Sequence, residues 1–235
     1  MLPSKTDIEK LANNFIESDK EWEGSVIVHD IEEEKPICVF GILNTSLGLK
    51  IREEMMLWLP KHYSIIEVYH NGKCYEYPPI KLAQKLCLEL GVPYTLYVHT
   101  KGAFNITIGQ APVRDIWKNE FSTDKRFAYL NAIDTTEATV VAPYISDEGH
   151  TWYNGFFCNK TAWGEKKIEK NTDRYYFEHM FTLNDNIKLI GVIKERMTAV
   201  EAVQAVKDYL IDMIRKNAAQ EHALQVLVAS KIQRS

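Results

Sequence analysis

Apolar positions along the chain recur with two different periods, and the alternation between them outlines a fold. Ile8, Leu11 and Phe15 fall at helical spacing behind the capping-box pair Thr6 and Glu9, which predicts a short amphipathic helix at the start. Two short β-like runs follow, "GSVIVHD" and "KPICVFGIL", separated by the acidic "IEEEKP", which reads as a solvated loop. "LGLKIREEMMLWLPKH" has the length and periodicity of a helix. "YSIIEVYHNG" reads as a strand closed by an Asn-Gly turn, and "PPIKLAQKLCLELGVP" as a helix with proline at its start and Gly91 and Pro93 at its exit. The next strand is "YTLYVHTKG". These strands are continuous apolar runs, not alternating ones, which argues for parallel strands covered on both faces.

The second half predicts helices at "APVRDIWKNEF" and "DKRFAYLNAID", then a strand at "EATVVAPYI". An aromatic-rich segment over 149–163 carries few element signals and is long enough for a binding loop. "GEKKIEKNTDRYYFEHMF" reads as a surface stretch and then a helix, and "NIKLIGVIKE" as a last strand. A second capping box, Thr198 with Glu201, opens a helix bearing Val203, Val206, Leu210 and Met213 on one side. Unbroken to the end of the chain it would run ~55 Å, more than a compact domain needs. The expectation is an α/β fold: a mixed, mostly parallel sheet flanked by helices over residues 1–195, and a C-terminal helical extension over 196–235.

Composition narrows the class. With 46% hydrophobic and 11% aromatic residues the chain is globular, not disordered or coiled-coil. Lys plus Arg number 28 against 32 Asp plus Glu, a net charge of -4, so no global field draws it to nucleic acid or anionic lipid. Cys38, Cys74, Cys87 and Cys158 lie far apart in or beside apolar runs, as reduced thiols do. The seven histidines show no metal-ligand spacing, so no protein-held metal is expected. The start lacks the plan of a signal peptide and no ~18-residue uncharged stretch occurs, which predicts a cytoplasmic protein without a transmembrane segment.

Candidate chemistry gathers where "YTLYVHTKG" ends. Ligands of open α/β sheets bind at the carboxyl ends of strands, where His99, Thr100, Lys101 and Gly102 would sit. Lys101 offers a cation for phosphate, Thr100 a hydroxyl, and Gly102 close access to backbone. The plain alternative is a polar turn such as any strand can end in. No Gly-x-x-x-x-Gly-Lys-Ser/Thr and no Gly-x-Gly-x-x-Gly occurs, which removes the usual triphosphatase and dinucleotide classes. Rings at Trp152, Tyr153 and Phe156, with Asn154 and Gly155, suit sugar binding in a loop, or else a core strand rich in aromatics. Glu178 lies one helical turn after Arg174, a spacing that fits a surface ion pair or a general base.

Taken in order, "EYPPIKLAQKL", "YTLYVHTKG", "VRDIW", "HTWYNGFFCNKTAW" and "RYYFEHMF" resemble the landmarks of a family of bacterial glycosyltransferase-like proteins, over roughly residues 76–181. The resemblance implies a GT-A-like nucleotide-sugar fold, with His99, Thr100, Lys101 and Gly102 facing the donor. It places Trp152, Tyr153, Asn154, Gly155 and Phe156 at the carbohydrate acceptor, although Gly and Asn come in a different arrangement here, and makes Glu178 the catalytic base. Many such enzymes hold a divalent cation with Asp-x-Asp, which this chain lacks; Lys101 would supply part of that charge, alone or with a manganese or magnesium ion arriving with the nucleotide sugar. The expected function is sugar transfer from a nucleotide sugar to a glycan or other hydroxyl acceptor. The alternative is a non-catalytic binding or assembly protein that keeps a transferase-like fold and self-associates through its C-terminal helix.

Overall fold

The computed structural model describes residues 2–18, 23–101, 103, 110–171, 176–177, 179–181 and 186–232. The first helix, α1 (Lys5–Ser18), buries Ile8, Leu11, Ala12 and Phe15. Its capping box is Ser4 with Asp7, whose side chains each accept the other residue's backbone N–H at 3.2 Å, and not the expected Thr6 with Glu9. β1 (Ser25–Val28) and β2 (Ile37–Leu43) follow; β2 is buried throughout. The helix expected next is two, α2 (Ser46–Met56) and α3 (Leu59–His62). Pro60 has no N–H to give to the preceding turn and starts a new helix instead of continuing the old one.

β3 (Ser64–His70), α4 (Tyr77–Glu89) and β4 (Tyr94–His99) come next. Pro78 and Pro79 sit in the first turn of α4, where their missing donors are harmless, and Gly91 with φ 72° turns the chain out of it. After α5 (Gln110–Ser122) and α6 (Arg126–Ala132), β5 (Thr139–Ser146) leads to a 3-10 turn, Trp152–Asn154. The aromatic segment expected as a loop continues as β6 (Phe156–Asn159), fully buried, and α7 (Lys160–Gly164), capped by the Asn159 side chain. β7 (Lys188–Met197) closes the sheet.

Among the described residues seven strands form one sheet, in the order β1-β3-β2-β4-β6-β5-β7. β2/β3, β2/β4 and β5/β7 pair parallel, whereas β1/β3, β4/β6 and β5/β6 pair antiparallel. The sheet is therefore mixed, with parallel and antiparallel junctions in equal number. β6 runs against its neighbours because the return from β5 is too short to hold the crossover that a parallel strand would need. Helices cover the sheet, and one apolar core joins Ile8 and Phe15 of α1, Ile80 and Leu86 of α4, and Ile66, Tyr97, Phe156 and Trp163.

The chain divides into two compact units, Met1–Thr198 and Ala199–Ser235. The second consists of one long helix, α8 (Ala199–Ile232), about 50 Å at the usual rise per residue. Among the described residues no helix is long and apolar enough to cross a membrane.

Candidate functional site

The chain leaves β2 through α2 to reach β3 on one side, then returns through α4 to β4 on the other. Such a reversal opens a crevice at the carboxyl ends of the adjoining strands, because their connections diverge there. Leu43, His70 and His99 mark those ends. The Thr100 N–H donates to the Gly41 carbonyl at 2.9 Å, and the Thr100 hydroxyl accepts the Leu43 N–H at 3.0 Å, so Thr100 stitches β4 to β2 beyond the ladder. The Lys101 N–H turns back to the His99 carbonyl at 2.7 Å, and the Lys101 carbonyl accepts from Arg114 Nη1 at 2.7 Å. Arg114, which spacing alone did not single out, thus brings a second cation from α5 to the strand end, with Nη2 3.7 Å from Glu54. Lys101 is 8% exposed.

The parallel register pairs Gly41 with His99 and Leu43 with His70, so His70 and His99 project to the same face as Gly41. A Cβ at Gly41 would lie 2.9 Å from Pro79 and 3.3 Å from the His99 Cβ. The glycine lets the first turn of α4 descend onto the strand ends and carry Glu76 with it. There Glu76 Oε2 accepts from the Tyr97 hydroxyl at 3.1 Å and from Asn154 Nδ2, and Oε1 lies 3.5 Å from His99 Nε2. The His99 ring meets Trp117 edge-on at 5.5 Å. Gly155 packs against Trp117 so closely that a Cβ there would fall 2.5 Å from the indole.

The backbone around this cluster is strained. Among the described residues, those other than glycine with left-handed φ are Tyr75, Tyr153 and Asn154, at 47°, 66° and 56°. All three flank the contact between Glu76 and Asn154. Such conformations cost of order 1 to 3 kcal/mol each and collect at functional sites. Burial, then the charges of Lys101 and His70, hold His99 well below the ordinary histidine range; burial brings His70 down to about 4. Both rings are neutral at pH 7. Burial, and then the charge of Glu76 beside it, raises the Tyr97 hydroxyl well above its usual range, which keeps it a donor.

The residues expected at the acceptor part company. Trp152 is half-buried, donates from Nε1 to the Met197 carbonyl at 3.2 Å, and lies 6.2 Å from the half-buried Tyr153 ring. Asn154 is wholly buried against Glu76. Phe156 is wholly buried in the core, with Tyr97, Trp163 and Phe181 rings 5.4 to 6.1 Å away, so its ring meets protein on every side. The reason is the β6 strand: period 2 alternates its residues between the two covered faces of the sheet. His150, two residues before Trp152, is buried with Nδ1 2.9 Å from Ser146 Oγ and its ring 4.2 Å from His179. Gly102, Glu178 and Arg174 lie outside the described residues.

Among the described residues no group of three or more His, Cys, Asp or Glu side chains is placed to hold a metal ion. Comparison with protein-family models, curated proteins and solved structures gives no match.

Proposed function

We propose that this chain is a GT-A-like glycosyltransferase that binds a nucleotide sugar at the joined carboxyl ends of β2, β3 and β4 and moves the sugar to a hydroxyl of a carbohydrate acceptor. The observation that carries the reading is the reversal of strand order at β2, which sets the strand end bearing Lys101, with Arg114 bonded to it, at the crevice where such sheets take ligands. The family resemblance over residues 76–181 points the same way. In this reading Lys101 and Arg114 offset diphosphate charge as the nucleoside diphosphate departs. Trp152 and Tyr153, half-buried beyond the carboxyl end of β5, offer ring faces to the acceptor, and Glu178 takes the proton of the acceptor hydroxyl.

A thermal-shift panel of uridine, guanosine and cytidine sugar nucleotides, with and without manganese, tests it, since a bound ligand stabilises by ~RT ln(1 + [L]/Kd). At least one series should raise Tm. Lys101→Ala should weaken that donor about ten- to hundred-fold, the worth of one charge-assisted contact. Glu178→Gln should leave donor binding intact and lower turnover ~100-fold. A flat panel removes the reading.

A second reading is favoured by α8, on which Val200, Val203, Ile211 and Ile214 are exposed, Val200 at 79%. It makes the chain a non-catalytic assembly protein joined through that helix. A stable oligomer by light scattering together with a flat nucleotide panel would support it.

A further inference from the structure

Once the internal bonds of the crevice are counted, some atoms are left over. Buried polar atoms nearly always have a partner, because an unpaired one bears the whole cost of its desolvation. Among the described residues three buried side-chain atoms have none: His70 Nδ1, His99 Nδ1 and Asn154 Oδ1. His70 and His99 stand at the ends of β3 and β4, and His99 and Asn154 are two of the groups that face Glu76.

The chemical character of these atoms follows from Glu76. A carboxylate oxygen only accepts, so the hydrogens of this cluster point toward it. His99 turns Nε2 toward Glu76 Oε1 at 3.5 Å, and in the tautomer that puts the ring hydrogen on that side Nδ1 is a bare lone pair. Asn154 presents its NH2 group to Glu76, which leaves Oδ1 as a bare carbonyl. Both unpaired atoms are acceptors grouped around one carboxylate, itself 20% exposed. They ask for a ligand that donates hydrogen bonds and bears no negative charge. The left-handed backbone at Tyr75, Tyr153 and Asn154 holds the two loops that bring these groups together.

We infer that Glu76, His99 and Asn154 form the subsite for the sugar of the donor, and that this sugar is a neutral one, held through its hydroxyl hydrogens. The inference rests on the transferase reading and divides the crevice by charge. The cations Lys101 and Arg114 at the end of β4 take the diphosphate, and the cluster of acceptors takes the hydroxyls. A uronic acid would set its carboxylate against that of Glu76 and is refused.

Calorimetric titration of the full chain with UDP, UDP-glucose and UDP-glucuronate, and with GDP and GDP-mannose, tests this. In the series that binds, the neutral sugar nucleotide should exceed the bare diphosphate by about tenfold, the worth of two neutral hydrogen bonds. In the uridine series UDP-glucuronate should bind no better than UDP. Glu76→Gln should narrow the gap between glucose and glucuronate while UDP affinity, which also reports folding, stays unchanged. Diphosphate binding with no gain from the sugar, or equal binding of the glucose and glucuronate nucleotides, overturns this inference alone, the three atoms then holding only water. Binding of none of the five overturns this inference, and the transferase reading falls with it when the cytidine series of the thermal-shift panel is flat as well.

Discussion

His70 stands at the end of β3 with 5% of its surface exposed and no partner for Nδ1. Its folded value of about 4, against an ordinary 6.5, makes it a source of acid lability. A depressed value means that the unfolded chain binds the proton first, so the stabilisation is complete above 6.5 and is lost as pH falls toward 4. The loss amounts to about 3 kcal/mol by pH 4 for this one ring. His99 shifts the same way and adds to it. The melting temperature should therefore drop steadily between pH 7 and pH 5, and His70→Leu should make the drop shallower; a Tm constant over that range would refute the assignment. At this scale the sequence was partly legible. His99 and Lys101 stood out because polar residues ended an apolar run. Glu76, Trp117 and Arg114 lay within the landmark segments "EYPPIKLAQKL" and "VRDIW" but drew no role, since each acts through a contact with a distant segment: Glu76 with Asn154, Trp117 with Gly155, Arg114 with the Lys101 carbonyl.

Among the elements, α2 is tied to β3 through one buried charge. Glu67 on β3 has a side chain 0% exposed, yet Arg52 of α2 forks onto it, Nε to Oε2 at 2.9 Å and Nη2 to Oε1 at 2.7 Å. Tyr69 and His29 also bond it. Burial by itself would raise the carboxyl; the bonds from Arg52, Tyr69 and His29 outweigh it and hold Glu67 below its ordinary 4.5. The stabilisation is thus present above 4.5 and lost as pH falls through the folded value, a window below that of His70. Arg52→Ala strands a buried carboxylate and should cost ~3 to 5 kcal/mol in urea melts, whereas replacing Arg52 and Glu67 together by leucine should recover most of it. A single-variant loss under ~1 kcal/mol, the range of exposed pairs, would show the tie to be weak. Nothing in the spacing of Arg52 and Glu67 announced this pair, because a helix and a strand set it between them.

At the scale of the whole molecule, the unit Met1–Thr198 contains every strand found among the described residues, with the strand ends at Leu43, His70 and His99. A chain ending at Thr198, which keeps the whole of that unit, should unfold in a single cooperative transition; a broad or multiphasic melt would refute its being one cooperative unit. The sequence by itself determined the α/β class, the succession of strand and helix from Ile37 to His99, and the long last helix, because apolar period, prolines and caps act over a few residues. Over 149–163 it left a binding loop and a core strand both open, and the choice at Phe156, Phe157 and Trp163 came only with β6 seen between β4 and β5. Strand direction is a matter of which neighbour a strand finds, and neither hydrophobicity nor propensity carries that. Only the tertiary structure decided that two of the seven strands run against the rest, and that Glu76, His99 and Asn154, from three separate segments, meet at one place. Such meetings are fixed by packing between residues far apart in the chain, where local pattern holds no information.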